Sequence, residues 1–238
     1  MLGVVRPNWN AAKLRAHGRV TPEAREAVLR RDDYTCRCCG FRAEKHQQVL
    51  HLNGDQRDFS ENNVLTACVF CHQCFDLTSV DTMRSGMLVW LPEIPQHELH
   101  HLMRAIYIAR VTQGPLAELA RQTFDVLYAR GDEAQKRLGS KDPGALALVM
   151  RDFLTGKEYQ QTQDNIKGIR LLPLDRRMTR EGEGDTEINF FPQILAHWRS
   201  KTGPYGAMPA QDWPHLFQSA TAIIADTQQN EENLLSAS

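Results

Sequence analysis

Apolar residues in the middle of this chain fall at helical spacing. After Pro95 they recur at Leu99, Leu102, Met103, Ile106 and from Ile108 to Val111. That period of about 3.6 residues predicts an amphipathic helix. A second helix is predicted after Gly114-Pro115, with Leu116, Leu119, Ala120, Phe124 and Leu127 on one face and Gly131 as its C-terminal cap. Asp142-Pro143 opens a third, running through Phe153. A fourth covers about Gly156 to Ile166, and Phe191-Pro192 and Asp212-Trp213-Pro214 each open a later one.

Before Pro95 the pattern is shorter and mixed. Thr21-Pro22-Glu23 combines an N-cap, a first-turn proline and an acid favoured by the helix dipole, so a helix is expected to about Arg31. Gln47 to Leu52 reads as a short strand, paired with the chain around Phe41. Asn53-Gly54-Asp55 is turn chemistry. Cys68 to Phe75 opens a short helix, and Met87 to Leu91 is an apolar strand ended by Pro92. The fold class expected is α+β, a small αβ module followed by a mostly helical region. The boundaries read as a module over 1–92, a helical region packed on it over 93–175, and a helical extension with a flexible tail over 176–238.

The cysteines give the small module its chemistry. All six lie between positions 36 and 74, as Cys36-Arg-Cys38-Cys39-Gly40 and Cys68-Val-Phe-Cys71-His72-Gln-Cys74. Each cluster holds a C-x2-C pair. Two such pairs supply the four soft ligands of a tetrahedral Zn²⁺ site, and the two intervening residues let the chain turn back on the ion. Gly40 suits that turn, where the backbone often needs a positive φ. We expect one structural Zn²⁺ held by Cys36, Cys39, Cys68 and Cys71. Cys38 and Cys74 exceed the ligand count and are expected to be buried as small apolar residues.

Disulfides are the competing reading, but they belong to oxidising compartments. The N-terminus shows no signal-peptide pattern, and no apolar run approaches a membrane span. A cytoplasmic protein is therefore expected. Cys71-His72 completes a C-x-x-C-H haem-attachment pattern, which needs an exported chain. The 238 residues carry a net charge of −1, so no global basic field announces nucleic acid. Arg6, Lys13, Arg15, Arg19, Arg25, Arg30 and Arg31 form a local basic cluster, which we read as a solvated helix face. Glu181 to Asp185 reads as a mobile loop, and the polar tail from Gln228 to Ser238 as a fraying end.

His97-Glu98-Leu99-His100-His101 contains H-E-x-x-H, a metalloprotease motif. No third ligand accompanies it, and Leu99 and Leu102 are needed for the core. Trp90, Trp198 and Trp213 sit in apolar patterns and read as core or interface aromatics. No glycine-rich phosphate loop and no nucleophile–base pair stands out. Neither a small-molecule substrate nor a nucleic-acid partner is expected.

Arg31-Asp-Asp-Tyr-Thr-Cys36, Cys39-Gly40, Val49-Leu50-His51, Asn63-Val64-Leu65, Cys68 and Cys71-His72 together resemble the HNH (ββα-metal) superfamily. The resemblance implies His51 as general base, Asn63 as the residue holding the base's loop, and His72 as a ligand of a Mg²⁺-type ion. One position departs. The residue before the base is usually Asp or His and ligates the metal; here it is Leu50, which has no lone pair. His46 and Asp55 do not stand at that position. A hard cation held by one imidazole binds poorly, and the leaving oxygen of a phosphodiester then goes unstabilised. The resemblance is one of fold more than of activity.

A closer resemblance covers the chain to about Pro173. Tyr34-Thr-Cys-x-x-Cys-Gly-Phe41, Asn53-Gly-Asp55, Asn63-Val-Leu-Thr66, Cys68-x-x-Cys-x-Gln-Cys-Phe75, Leu88-Val-Trp-Leu-Pro-Glu93 and Ile169-Arg-Leu-Leu-Pro173 are similar to the IcmJ/DotN family of Dot/Icm-type (type IVB) secretion systems. The family implies an HNH-like zinc fold without nuclease chemistry. It implies a place at the cytoplasmic face of the inner membrane, reached through the secretion complex. There the chain would bind the C-terminal extension of the coupling ATPase and other coupling-complex subunits, as a non-catalytic adaptor. The alternatives are an HNH endonuclease with His51 as base, and a DNA-binding module that lost cleavage. The stretch after Asp175 departs from the family.

Overall fold

A computed structural model describes residues 2–3, 21–154, 156–180 and 186–206. The chain runs α1 (Pro22–Arg31), β1 (Gln48–His51), β2 (Val64–Ala67), α2 (Val69–Gln73), α3 (Leu77–Met83), β3 (Gly86–Trp90), α4 (Gln96–Arg110), α5 (Pro115–Leu138), α6 (Pro143–Asp152), α7 (Gly156–Asn165), β4 (Ile169–Pro173), β5 (Met178–Arg180), β6 (Glu187–Asn189) and α8 (Phe191–Arg199). The described residues are α+β, with three small antiparallel sheets among the helices. No helix among the described residues is long and apolar enough to cross a membrane. Arg6, Lys13, Arg15, Arg19, the 181–185 loop, the helix expected at Asp212, Trp213 and the tail lie outside the described residues.

The first helix starts where its signals stand. Thr21 caps it by accepting from the Ala24 amide at 3.2 Å, with Pro22 and Glu23 in the first turn. The strand after it pairs differently from expectation. β1 joins β2 in a hairpin, from Gln48 opposite Ala67 to His51 opposite Val64. The Phe41 region reaches β1 only through a side chain. Buried Gln47 donates from Nε2 to the carbonyls of Tyr34 and Phe41, both at 2.8 Å. A glutamine amide takes the place of the backbone ladder.

The region after Pro95 is not all helical. β4 returns to pair with β3, from Gly86 opposite Pro173 to Trp90 opposite Ile169. The other edge of β3 is partly covered, since the Leu88 amide donates to the Lys141 carbonyl at 2.9 Å. α4 lies beneath this layer and is buried on all sides from Leu99 to Ala109 except at His101. A helix enclosed all round needs apolar residues all round, which blurs its one-face period.

α5 differs from expectation in length and in face. It continues seven residues past Gly131 and ends at Gly139, whose φ of 76° supplies the left-handed cap. Its buried stripe is Ala117, Ala120, Thr123, Leu127, Gly131 and Ala134, while Leu116, Leu119 and Phe124 flank it half-buried. Small side chains let α5 lie close on β3. A Cβ at Gly131 would stand 2.2 Å from the Met87 Cε. Gly131 is a packing glycine inside the helix.

One apolar core runs from Cys36, Phe41 and Cys68 through α4 to Phe191, Ile194 and Trp198 of α8. Phe41 and Phe70 both meet the Trp198 ring edge-on at 5.6 Å. Trp90 lies at the rim of a neighbouring cluster, under the Arg137 guanidinium at 3.9 Å. Replacing Gly131 by isoleucine should overpack the α5–β3 contact and cost about 1–3 kcal/mol, read by urea unfolding. An unchanged midpoint would show that α5 can lift off the strand.

Candidate metal centre

The first cysteine pair sits on a turn that the local backbone closes. The Cys36 amide donates to the Phe41 carbonyl at 2.9 Å, and the Gly40 amide to the Cys36 carbonyl at 2.8 Å. Gly40 carries a φ of 75°, as a knuckle glycine requires. The second pair uses a helix start. Cys68 caps α2, its sulfur accepting from the Cys71 amide at 3.4 Å. One helical turn then brings Cys71 beside it.

The two pairs converge. The sulfurs of Cys36, Cys39, Cys68 and Cys71 all lie within 4.8 Å of one another, three of the residues being buried and Cys39 half-buried. Cys39 and Cys68 stand 3.8 Å apart. A tetrahedral thiolate centre with metal–sulfur bonds of about 2.3 Å spaces its sulfurs by roughly 3.8 Å. The four cysteines are arranged to hold a metal ion. Among the described residues no other group of three or more His, Cys, Asp or Glu side chains converges in this way.

The surroundings were not anticipated from the cysteine spacing. Arg104 of α4 is fully buried, 0% exposed. Its guanidinium donates to the Cys68 sulfur at 3.4 Å and the Cys39 sulfur at 3.5 Å. It also lies 4.2 Å over the Phe41 ring. Burial opposes its charge, but Cys68, Tyr205 and Cys39 outweigh burial and raise its pKa. A buried cation needs a buried anion beside it. Four thiolates around a divalent ion carry two excess negative charges, so the donor set fits the arginine.

Two histidines complete the shell. His100, 1% exposed, places Nδ1 3.1 Å from the Cys71 sulfur and Nε2 2.9 Å from the Gln96 amide. His101 meets the Cys39 carbonyl at 2.7 Å and Arg104 at 3.1 Å. Thus the H-E-x-x-H stretch serves the cysteine site from outside. His97 and Glu98 are exposed in the first turn of α4. The available signal was His100 and Arg104 at i and i+4 beside the apolar positions of α4.

The surplus cysteines separate. Cys74 is buried as expected, its sulfur 3.5 Å from the Phe70 carbonyl, and burial pushes its thiol up to about 12. Cys38 is exposed instead, because the turn between Cys36 and Cys39 points its middle residues outward.

The three HNH-type positions share the β1–β2–α2 unit. His51 ends β1 with its ring against Phe59 at 4.9 Å, and its Nε2 is buried without a partner. Asn63 pins the intervening loop, accepting from the Asn53 amide at 2.9 Å and donating to the Asp58 carbonyl at 2.8 Å. His72 on α2 bonds the Val49 carbonyl, and burial holds its pKa down to about 4. Leu50, 5% exposed, belongs to the apolar core.

Arg104→Met keeps the volume and removes the charge and both sulfur contacts. Metal retention against a chelator should weaken about 10–100-fold. Retention equal to the unaltered chain would show that the sulfurs need no buried counter-charge.

No protein-family model matches the chain. Among curated proteins, the type 4 apparatus protein DotN of Legionella pneumophila subsp. pneumophila strain Philadelphia 1 is 30% identical over 163 residues. The match covers 66% of this chain and 75% of DotN. With that identity over most of the relative's length, the chain belongs to the DotN family.

Proposed function

We propose that this protein is a non-catalytic, zinc-stabilised adaptor of a type IVB secretion coupling complex. It binds the C-terminal extension of the coupling ATPase, works beside other coupling-complex subunits, and supports effector secretion from the cytoplasmic face of the inner membrane. The kinship with the type 4 apparatus protein DotN carries the reading. The buried thiol set supports the metal, since four cysteine sulfurs in a tetrahedral cluster suit Zn²⁺ above harder cations. Ligands Cys36, Cys39, Cys68 and Cys71 serve structure, because every coordination position is taken by protein.

An adaptor acts through surface. The apolar side chains of Met87 to Val89 and Leu91 are turned inward, 7% exposed or less, so they offer no partner face. Exposed apolar groups stand instead on α6 and its C-cap, at Leu148, Val149 and Phe153, the last 72% exposed.

Purified protein should carry one zinc per chain, and Cys68→Ser should unfold the N-terminal module, since binding free energy here is folding free energy. Elemental analysis and circular dichroism check both. With Mg²⁺ or Mn²⁺ the protein should leave DNA uncut, because buried Leu50 supplies no ligand beside His51. Cleavage abolished by His51→Ala would restore the endonuclease with His51, Asn63 and His72 as its site.

Calorimetry of the zinc-loaded chain with the purified ATPase tail tests the partner. Binding should survive deletion of the residues after 206. No measurable affinity at tens of micromolar, roughly 6 kcal/mol, would overturn the adaptor reading.

A further inference from the structure

α8 is apolar on two sides. Phe191, Ile194 and Trp198 face the core. Pro192, Leu195 and Ala196 stand on the outer side, exposed or half-buried. Together with Val111, the 45% exposed C-cap of α4, and with Arg199 and Ser200, they line an open groove of about 400 Å³. We propose that this groove seats the chain's own segment 213–224, laid as a helix antiparallel to α8.

The described chain ends at the groove. After α8 the Gly203 amide donates to the Ser200 carbonyl at 2.8 Å, and the Gly206 amide to the Gly203 carbonyl at 3.1 Å. A Cβ on Gly206 would collide with the Ser200 carbonyl, so residue 206 lies against a residue that lines the groove. The six residues 207–212 then precede Trp213. Extended, they reach about 20 Å. From Ser200 back to Pro192, α8 is only about 12 Å long. The tether therefore reaches the whole groove, and its length is ordinary for a connection between antiparallel helices.

The sequence of the segment fits an apolar seat. Trp213, Leu216, Phe217, Ala220, Ile223 and Ile224 recur at the spacing of one helix face. A helix of this length is marginal alone in water, and its apolar face needs a surface to cover it. Charge selects the direction. Residues 207–238 carry Asp212, Asp226, Glu231 and Glu232 and no lysine or arginine. Arg199 and Lys201 stand exposed at the C-terminal end of α8. Antiparallel placement brings Asp212, at the start of the segment, to those cations; parallel placement would carry it to the far end.

Amide hydrogen exchange of the full chain, read by mass spectrometry, tests the seat. Amides of 216–224 should exchange at least about tenfold more slowly than those of 228–238. Ala196→Glu sets a carboxylate on the exposed side of α8 and should return 216–224 to the rate of the tail, with the protection of α4 unchanged. Phe217→Asp, made on the segment itself, should do the same and serves where Ala196→Glu disturbs α8. Fast exchange of 216–224 in the unaltered chain overturns the proposal. So does protection that survives both variants. Protection that rises with protein concentration would give the groove to the segment of a second copy, and protection gained only on adding the ATPase tail would give it to that partner; either overturns occupancy within one chain. The measurement on the chain alone needs no partner, so its outcome is independent of the adaptor reading.

Discussion

Arg104 places a full positive charge where no water reaches, between the sulfurs of Cys39 and Cys68. Alone, such a charge would destabilise the core by several kcal/mol. Beside four thiolates holding a divalent ion it would neutralise part of their excess charge. Each side is therefore costly without the other. Because the thiols come from the two knuckles and the arginine from α4, this contact ties the small module to the buried central helix. The Phe41 ring on the guanidinium and Trp198 against Phe41 extend the tie to α8. Charge, aromatic packing and metal geometry converge on residues 36 to 41, and the elements around them are ordered by that point.

The parts legible in the sequence are those fixed by local chemistry. Two C-x2-C pairs with Gly40 mark the four cysteines whose sulfurs converge, because the spacing sets the turn geometry. Thr21-Pro22-Glu23 marks a helix start for the same reason. What escaped depends on distant residues. The β3–β4 pairing joins positions about eighty residues apart, and a largely apolar pentapeptide such as Ile169–Pro173 carries no sign of its partner. The face of α5 was displaced by one position because small residues, not large ones, make the close contact with β3. Gly131 signals a helix end by propensity, yet here it clears space for Met87. His100 and Arg104 interrupt an apolar stripe, and such interruptions gain meaning only when the sulfurs opposite them are known.

The β1–β2–α2 unit is braced by side-chain contacts of its own. Asn63 ties its end of the 53–63 loop to the loop's start at Asn53 and its middle at Asp58 through its side-chain amide. That work is structural and needs no ion. Leu50 adds its side chain to the core, and its burial contributes roughly 1.5–3 kcal/mol to folding. His51 and His72 remain as rings whose burial lowers their pKa values, held by Phe59 and the Val49 carbonyl.

The segment beyond Asp175 departs from the family resemblance, yet its first part is built into the core. Phe191, Ile194 and Trp198 are each at most 3% exposed and pack on Phe70, Phe41 and Tyr107. Tyr205 then stacks on Phe41 at 6.0 Å, with its amide on the Trp198 carbonyl. A tail added only for contact with a partner would not bury its largest aromatics inside the molecule. This segment closes the side of Phe41 that the first knuckle leaves open. It keeps water from the ring that lies on Arg104, and so sustains the low-polarity surroundings in which a thiolate–guanidinium contact is strongest. The extension thus acts on the metal centre through one aromatic layer, without supplying a ligand to it.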